Sequence, residues 1–470
     1  MLFNSYAFIF LFLPVMITGY FWLLHKRLVL GSKVWLVGGS LLFYGYWNIV
    51  YIPLLLGSIF INFSIGSAMA DAPQEQKKAK LLKTFSSKQL LLFGIFFNIA
   101  LLAYFKYTDF FLTNFNGVFG SNIPLPHIIL PLGISFFTFT QIAFLVDAYK
   151  QEVKEYDFLH YMLFVTYFPH LLAGPILHHK EMMPQFASRW NFALRWRNIG
   201  AGLFLFSIGL FKKVIIADFF ADYANYFYAD TINLDMLQAW AASLTYTLQL
   251  YFDFSGYTDM AIGVSLLFNI KLPINFNSPY KATSIQDFWR RWHMTLSRFL
   301  RDYIYIPLGG SRRGSFRTYV NLMATFVIGG IWHGAGWTYV FWGFLHGLAL
   351  VINHAWKSFG FKLPTIVAWF ITFNFVNLAW VFFRAPTWED ATNVVTVMFD
   401  LSEFNLDNIY DSSVYWQVML GILMTLVFKN SNEWMKMQKA TLKYQLFTAS
   451  LLIIGILYLS KVSEFIYFQF

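Results

Sequence analysis

NLMATFVIGGIWHGAGWTYVFWGFLHGLALVI, residues 321–352, runs for 32 positions without an Asp, Glu, Lys or Arg. About 20 consecutive apolar residues suffice to cross a bilayer as a helix, and runs of that kind recur from one end of the chain to the other. Of 470 residues, 58% are hydrophobic and 12% charged, whereas a soluble domain carries about 25% charged residues. The sequence is that of an all-α polytopic membrane protein. Its first apolar run, Met1 to Leu24, has neither a basic leader nor a small-residue cleavage site, so it reads as a retained first helix.

The chain contains no cysteine. That excludes a thiolate nucleophile, a disulfide, palmitoylation and Cys-ligated zinc or iron–sulfur clusters. The net charge of +10 fits basic cytoplasmic loops facing anionic lipid, and no nucleic-acid partner is inferred from it.

Loop charge orders the spans. His25-Lys26-Arg27 with Lys33 reads as cytoplasmic, and so does Asp71 to Lys88, with five lysines against two acids. The turn near Trp47–Pro53 between them is then outside, which puts the N-terminus outside as well. A span at Leu90 to Phe105 leads to an outer loop, Thr108 to Pro126, and Lys150 and Lys154 return the chain to the inner face. Asp218 to Asp235, with four aspartates and no basic residue, reads as outer, as does Glu389 to Asp411; Lys429 to Lys443 reads as inner. Roughly eleven spans result, fewer if the segments at 128–146 and 158–176 are re-entrant. The whole reads as one membrane domain, 1–470, with N-terminal helices at 1–110, a core at 126–383 and C-terminal helices at 413–470.

Ser284 to Arg313, SIQDFWRRWHMTLSRFLRDYIYIPLGGSRR, has Ser284 three positions before Asp287, a capping pattern that predicts a helix from Ile285. At about 100° per residue, Arg290, Arg291, Arg298 and Arg301 share one face. Trp289, Trp292, Phe288, Leu296, Phe299 and Leu300 fill the other, with His293 at the border and Pro307 and Gly309-Gly310 ending the element. This is the pattern of an interfacial helix. Its arginines suit lipid headgroups, or the phosphates of an anionic cytoplasmic donor such as an acyl-coenzyme A; one face can serve both.

Ahead of it, LQLYFDFSGYTDMAIG (248–263) carries Asp253 and Asp259 in an apolar run with Gln249, Ser255 and Tyr257. Carboxylates at membrane depth line a cavity or pair with a base, and both readings stand. His333, in GGIWHGAGW (329–337), is flanked by Gly330 and Gly334; Gly343 and Gly347 repeat that spacing, which allows close helix approach or clears room for a substrate. A core histidine bonded to a carbonyl is the plain alternative. Imidazole takes and returns a proton near neutral pH, and acyl transfer to a scarcely ionised hydroxyl needs such a base. His346 and His354 read as helix-interface or surface residues. Adjacent His178 and His179 lack the spacing or carboxylates of a metal site, so no metal is expected.

These stretches resemble the membrane-bound O-acyltransferase family, within it the group that modifies bacterial polysaccharides such as alginate and peptidoglycan. The resemblance is carried by YFDFSGYTDMAIG, NFNSPY (275–280), FWRRWH, LRDYIYIPLGG and GGIWHG, and by MLFNSYAFIFLFLP, YFPHLLAGPILHHKEMMPQF (167–186) and GLFKKVIIAD (209–218). In the 167–186 block, His170 stands where the family's glutamine is expected. The resemblance implies a funnel-like body with a central tunnel in a bacterial inner membrane. It implies His333 as the essential histidine and His293 as the second. It implies acetyl-CoA as donor substrate with no bound cofactor, and an extracytoplasmic partner of serine-hydrolase-like fold that passes the acetyl group to a polysaccharide of alginate, cellulose or peptidoglycan type. Arg290, Arg291, Arg298, Arg301, Trp289 and Trp292 then fall near the donor, while Asp253, Asp259, Gln249 and Tyr257 are tunnel or structural polar groups. Two alternatives stand beside this: D-alanyl transfer to teichoic acid, and a proton-coupled transporter or channel, for which the expected internal repeat is not visible.

Overall fold

The computed structural model describes residues 1–69, 85–153, 157–405, 413–437, 441–459 and 465–466. Regular structure among these residues is entirely helical. Most of the basic loop at 71–88, Lys154, part of 389–411 and residues 438–440 of the basic stretch at 429–443 lie outside the described residues, so the loop charges there have no structural counterpart. Helices long and apolar enough to cross a membrane are Ala7–His25, Ile49–Met69, Ser87–Phe119, Trp196–Ala229 and Thr365–Arg384. Shorter apolar helices run over Val29–Gly45, Ile134–Tyr149, Val414–Val427 and Leu442–Leu457.

The chain divides into two compact units, one formed by Met1–Phe206 with Met260–Pro273 and the other by Ser207–Asp259 with Ile274–Phe470. In the first, the buried Phe8 ring has Phe3, Phe43 and Phe168 at centroid distances of 4.9, 5.9 and 6.2 Å. Helices in an apolar surrounding gain little from hydrophobic burial against each other, so polar side chains tie them together. Asn62 and Asn98 exchange amide hydrogen bonds between their helices (2.6 and 3.3 Å). The Gln141 amide donates to Ser58 (3.0 Å) and accepts from the Tyr161 hydroxyl (3.3 Å). His170 is buried, with Nε2 2.8 Å from the Phe164 carbonyl oxygen.

One expectation changes in this unit, and the segment at 158–176, left open between a span and a re-entrant stretch, gains detail. The helix expected to end near Phe105 continues to Phe119: it starts at a capping box between Ser86 and Gln89 and stops at Gly120, whose φ of +62° suits glycine. Thr108 to Phe119 is therefore helix, not loop. The segment at 158–176 is not one continuous span. The Phe158–Thr166 helix ends at Tyr167, whose ψ of 107° breaks the spiral, and Pro169 lies in the first turn of the short helix that follows, Phe168–Leu171.

In the second unit, the uncharged run at 321–352 folds as parts of two helices, Gly314–His333 and Trp337–Ser358. They meet through glycine. A Cβ on Gly330 would lie 3.0 Å from the Gly343 Cα, and one on Gly343 would lie 3.1 Å from the Gly330 Cα and strike the Phe326 carbonyl oxygen. Both glycines are required for this approach. Asp218 to Ala229, expected as outer loop, is helical, because the Trp196–Ala229 helix runs on through wider turns at Lys212–Ala217. Widened turns of this kind are frequent at functional or strained positions.

The predicted interfacial helix is corrected as well. It starts at Ile285 as expected, with the Ser284 side chain accepting the Asp287 N–H at 3.2 Å. It does not continue to Pro307. One helix covers Ile285–Trp289 and another Met294–Leu300, separated by His293 in the left-handed region at φ +41°. A non-glycine residue pays about 1–2 kcal/mol for that conformation. Here the compensation comes from Asn275, whose backbone carbonyl accepts the Met294 N–H (2.9 Å) and whose side-chain oxygen accepts the Thr295 N–H (3.1 Å).

Candidate active site

His333 is the last residue of its helix. Gly334 and Gly336 are extended, with φ of −158° and −165°, and the next helix begins at Trp337. A Cβ on Gly334 would overlap the Tyr339 ring, so glycine after His333 lets the following helix fold back beside it. The His333 side chain is buried, its ring 4.8 Å from Trp332, 5.0 Å from Trp342 and 5.1 Å from Phe383, with Trp342 and Phe383 both edge-on. Aromatic rings therefore enclose the imidazole on several sides.

Those rings continue inward. Trp342 stacks on Trp380 at 5.6 Å, and Trp380 lies 5.0 Å from Trp292. Trp289 packs 4.9 Å from Phe326 and donates its indole N–H to His346 Nδ1 at 3.2 Å. Trp289, Trp292 and His333 thus belong to one aromatic cluster. His346, which in sequence reads as an interface residue, is fully buried in the same cluster, 4.7 Å from Trp342. Its spacing of four residues from Trp342, which puts both on one helix face, was the sign available in the sequence.

His293, placed by helical periodicity at a border between water and core, is fully buried. Its position follows from the broken helix. The ring meets Phe254 edge-on at 4.8 Å, and Nδ1 is 3.1 Å from the Asn275 side-chain oxygen. That oxygen also accepts from the Thr295 N–H and hydroxyl, so it is an acceptor and Nδ1 carries the proton. The lone pair of the neutral ring is then on Nε2.

The break at His293 removes the single spiral from which one arginine face was projected. Arg291 Nε bonds both carboxylate oxygens of Asp287 (2.9 and 3.0 Å), and Arg301 pairs with Asp302 at 2.7 Å. Arg290 and Arg301 are exposed; Arg291 and Arg298 are partly buried.

Asp253 and Asp259 are both paired with lysine. Lys213 Nζ sits 2.7 Å from Asp253 and 2.8 Å from Asp218, and Asp253 also accepts the Ile466 N–H at 3.2 Å. Lys212 reaches Asp259 at 2.7 Å, and the other Asp259 oxygen accepts from Ser431 at 2.9 Å. Tyr257 is buried edge-on against Phe465 at 4.7 Å, the ring over which Lys213 lies, and Gln249 is buried on the same helix. The two lysines were missed as site neighbours. Adjacent cations inside an apolar helix, with an aspartate five positions after Lys213, were the available sign.

A family model described as MBOAT, membrane-bound O-acyltransferase family, matches residues 20–385. The chain belongs to the membrane-bound O-acyltransferase family. It is an acyltransferase, and the matched region takes in the aspartate–lysine cluster, the broken 284–305 segment, His293, His333 and His346. Among individual relatives, a protein named peptidoglycan O-acetyltransferase from Helicobacter pylori is 47% identical, covering 100% of this chain and 98% of its own length. A probable alginate O-acetylase AlgI from Pseudomonas aeruginosa is 38% identical, covering 87% of this chain and 78% of its own. A teichoic acid D-alanyltransferase from Bacillus subtilis is 30% identical over 55% of this chain and 71% of its own length.

Proposed function

We propose that this chain is a membrane O-acetyltransferase that takes an acetyl group from acetyl-CoA on the cytoplasmic side and sends it towards an extracytoplasmic polysaccharide, peptidoglycan in the first instance. The observation that carries this reading is the 47% identity, over the whole chain, with a protein named for that acetylation. D-alanyl transfer to teichoic acid is a poorer fit, since the relative of that name matches at 30% over 55% of the chain. The reading includes a bacterial inner membrane, an extracytoplasmic N-terminus, roughly eleven spans and a central tunnel leading to His333. It also includes a partner of serine-hydrolase-like fold that receives the acetyl group outside.

The chemistry follows from the residues present. The His333 imidazole takes the proton from an acceptor hydroxyl as its oxygen bonds to the thioester carbonyl carbon. The carbonyl π pair moves onto oxygen, returns, and expels the coenzyme A thiolate, which takes the proton back from the imidazolium. Ester and free thiol result, and the enzyme is unchanged. With no cysteine in the chain, no protein thioester intervenes. Burial of His333 against Trp342 and Phe383 excludes water, which would otherwise compete with the acceptor hydroxyl. The exposed Arg290 is available to donor phosphates or headgroups, and Arg291 and Arg301, each paired through Nε with a neighbouring aspartate, have further N–H donors.

The test is a proteoliposome carrying the purified protein, acetyl-labelled acetyl-CoA on one side, and on the other a peptidoglycan glycan with the matching periplasmic fraction. Alkali-labile label on the glycan is expected. Transfer from a D-alanyl carrier protein in its place, or proton flux without turnover of acetyl-CoA, would overturn the reading.

A further inference from the structure

Trp342 and His346 lie four residues apart on the Trp337–Ser358 helix, both fully enclosed, at 1% and 0% exposure. The Trp289 indole can only donate, so His346 Nδ1, 3.2 Å away, must be the acceptor in that bond. A neutral ring with its lone pair on Nδ1 carries its hydrogen on Nε2. His346 Nε2–H is therefore a donor, and among the described residues it has no hydrogen-bond partner. The Trp342 Nε1–H is another buried donor without a partner among them.

One such group costs about 1–3 kcal/mol, and native interiors satisfy nearly all of theirs. Two of the same sign sit on rings 4.7 Å apart, and the nearer ring is 5.0 Å from His333. Two donors lacking an acceptor are complementary to an oxygen. Aromatic walls keep the surroundings apolar, where hydrogen bonds to developing charge count most.

We propose that Trp342 Nε1–H and His346 Nε2–H bind the carbonyl oxygen of the acyl group and hold the negative charge that forms on it during attack. This rests on the acetyl-transfer reading and adds the residues that stabilise its charged intermediate. In the step, the hydroxyl oxygen bonds to the carbonyl carbon, its proton goes to His333, and the π pair settles on the carbonyl oxygen, which accepts from the two donors. Collapse returns the pair and breaks the carbon–sulfur bond. Neither donor gives up its hydrogen. Trp289 acts through His346 as a positioning residue, fixing the tautomer.

The experiment uses the full-length protein in proteoliposomes with acetyl-CoA and glycan acceptor. Because the chain has no cysteine, a thiol reagent reports coenzyme A release alone. Two replacements remove the Trp342 donor: Trp342→Phe, and an isosteric benzothienylalanine that carries sulfur where the indole has N–H. Loss of one donor to an oxyanion lowers kcat about 10²- to 10³-fold. The proposal expects that fall in both variants, an unchanged KM for acetyl-CoA, and no loss of thermal midpoint in the isosteric one, since no satisfied hydrogen bond disappears. His346→Gln, able to accept from Trp289 and donate through the same amide, retains more rate than His346→Leu. Wild-type kcat in the isosteric variant, with or without a lower midpoint, would assign Trp342 to packing and overturn the proposal. Folded wild-type protein that leaves acetyl-CoA untouched would instead remove the transfer reading beneath it.

Discussion

Lys213→Met removes the cation that lies 2.7 Å from Asp253 and 2.8 Å from Asp218. The two carboxylates are 3% and 12% exposed as side chains, so water cannot take over the role. Removing one partner of a buried ion pair costs about 3–5 kcal/mol. The loss has a ceiling, because a carboxyl with an ordinary pKa near 3.9 can be neutralised at pH 7 for about 4 kcal/mol. The two figures agree, and a loss of ~4 kcal/mol lowers the ratio of folded to unfolded protein about a thousand-fold. Membrane proteins in detergent often unfold irreversibly, so the readout is the half-life of the folded state at fixed temperature alongside the thermal midpoint. The variant is expected to be much shorter-lived, and Lys213→Met combined with Asp253→Asn to recover part of the loss. A Lys213→Met protein as long-lived as wild type would refute the reasoning. So would an Asp253→Asn protein of full lifetime with no acyl transfer, which would move Asp253 from helix locking into the chemistry.

Two further outcomes follow from close contacts. Gly343→Val drives its side chain into Gly330 and the Phe326 carbonyl; overpacking of this kind costs about 1–3 kcal/mol, and transfer should fall further as the helices bearing His333 and Trp342 separate. A midpoint and rate equal to wild type would contradict the glycine contact. Asn275→Ala removes the shared acceptor of the Thr295 N–H, the Thr295 hydroxyl and His293, for a loss of about 1–3 kcal/mol read from the thermal midpoint; no change would mean that the turn at His293 is held by something else.

What could be read from the sequence was local. Composition and apolar runs led to a helical membrane protein, and Ser284 marked a helix start because its partner, Asp287, is three residues away. The break at His293 escaped because its cause is Asn275, 18 residues upstream, and no periodicity within 284–305 encodes it. The projection at about 100° per residue assumed one continuous spiral, and it does not carry across the break between the two short helices. The role of Asp253 and Asp259 stayed open for the same reason, since their lysines lie 40 and 47 positions away. His346 looked ordinary in sequence. Its interest comes from Trp289, whose indole fixes the ring's tautomer from another helix.

The account stands on His333 as the group that moves the proton in acyl transfer. The most direct measurement is acetyl transfer by His333→Gln and His333→Ala in proteoliposomes, with thermal midpoint and detergent monodispersity recorded on the same samples. The account predicts that both variants fold and insert yet pass no acetyl group to the acceptor. Near-normal transfer by either one would contradict it.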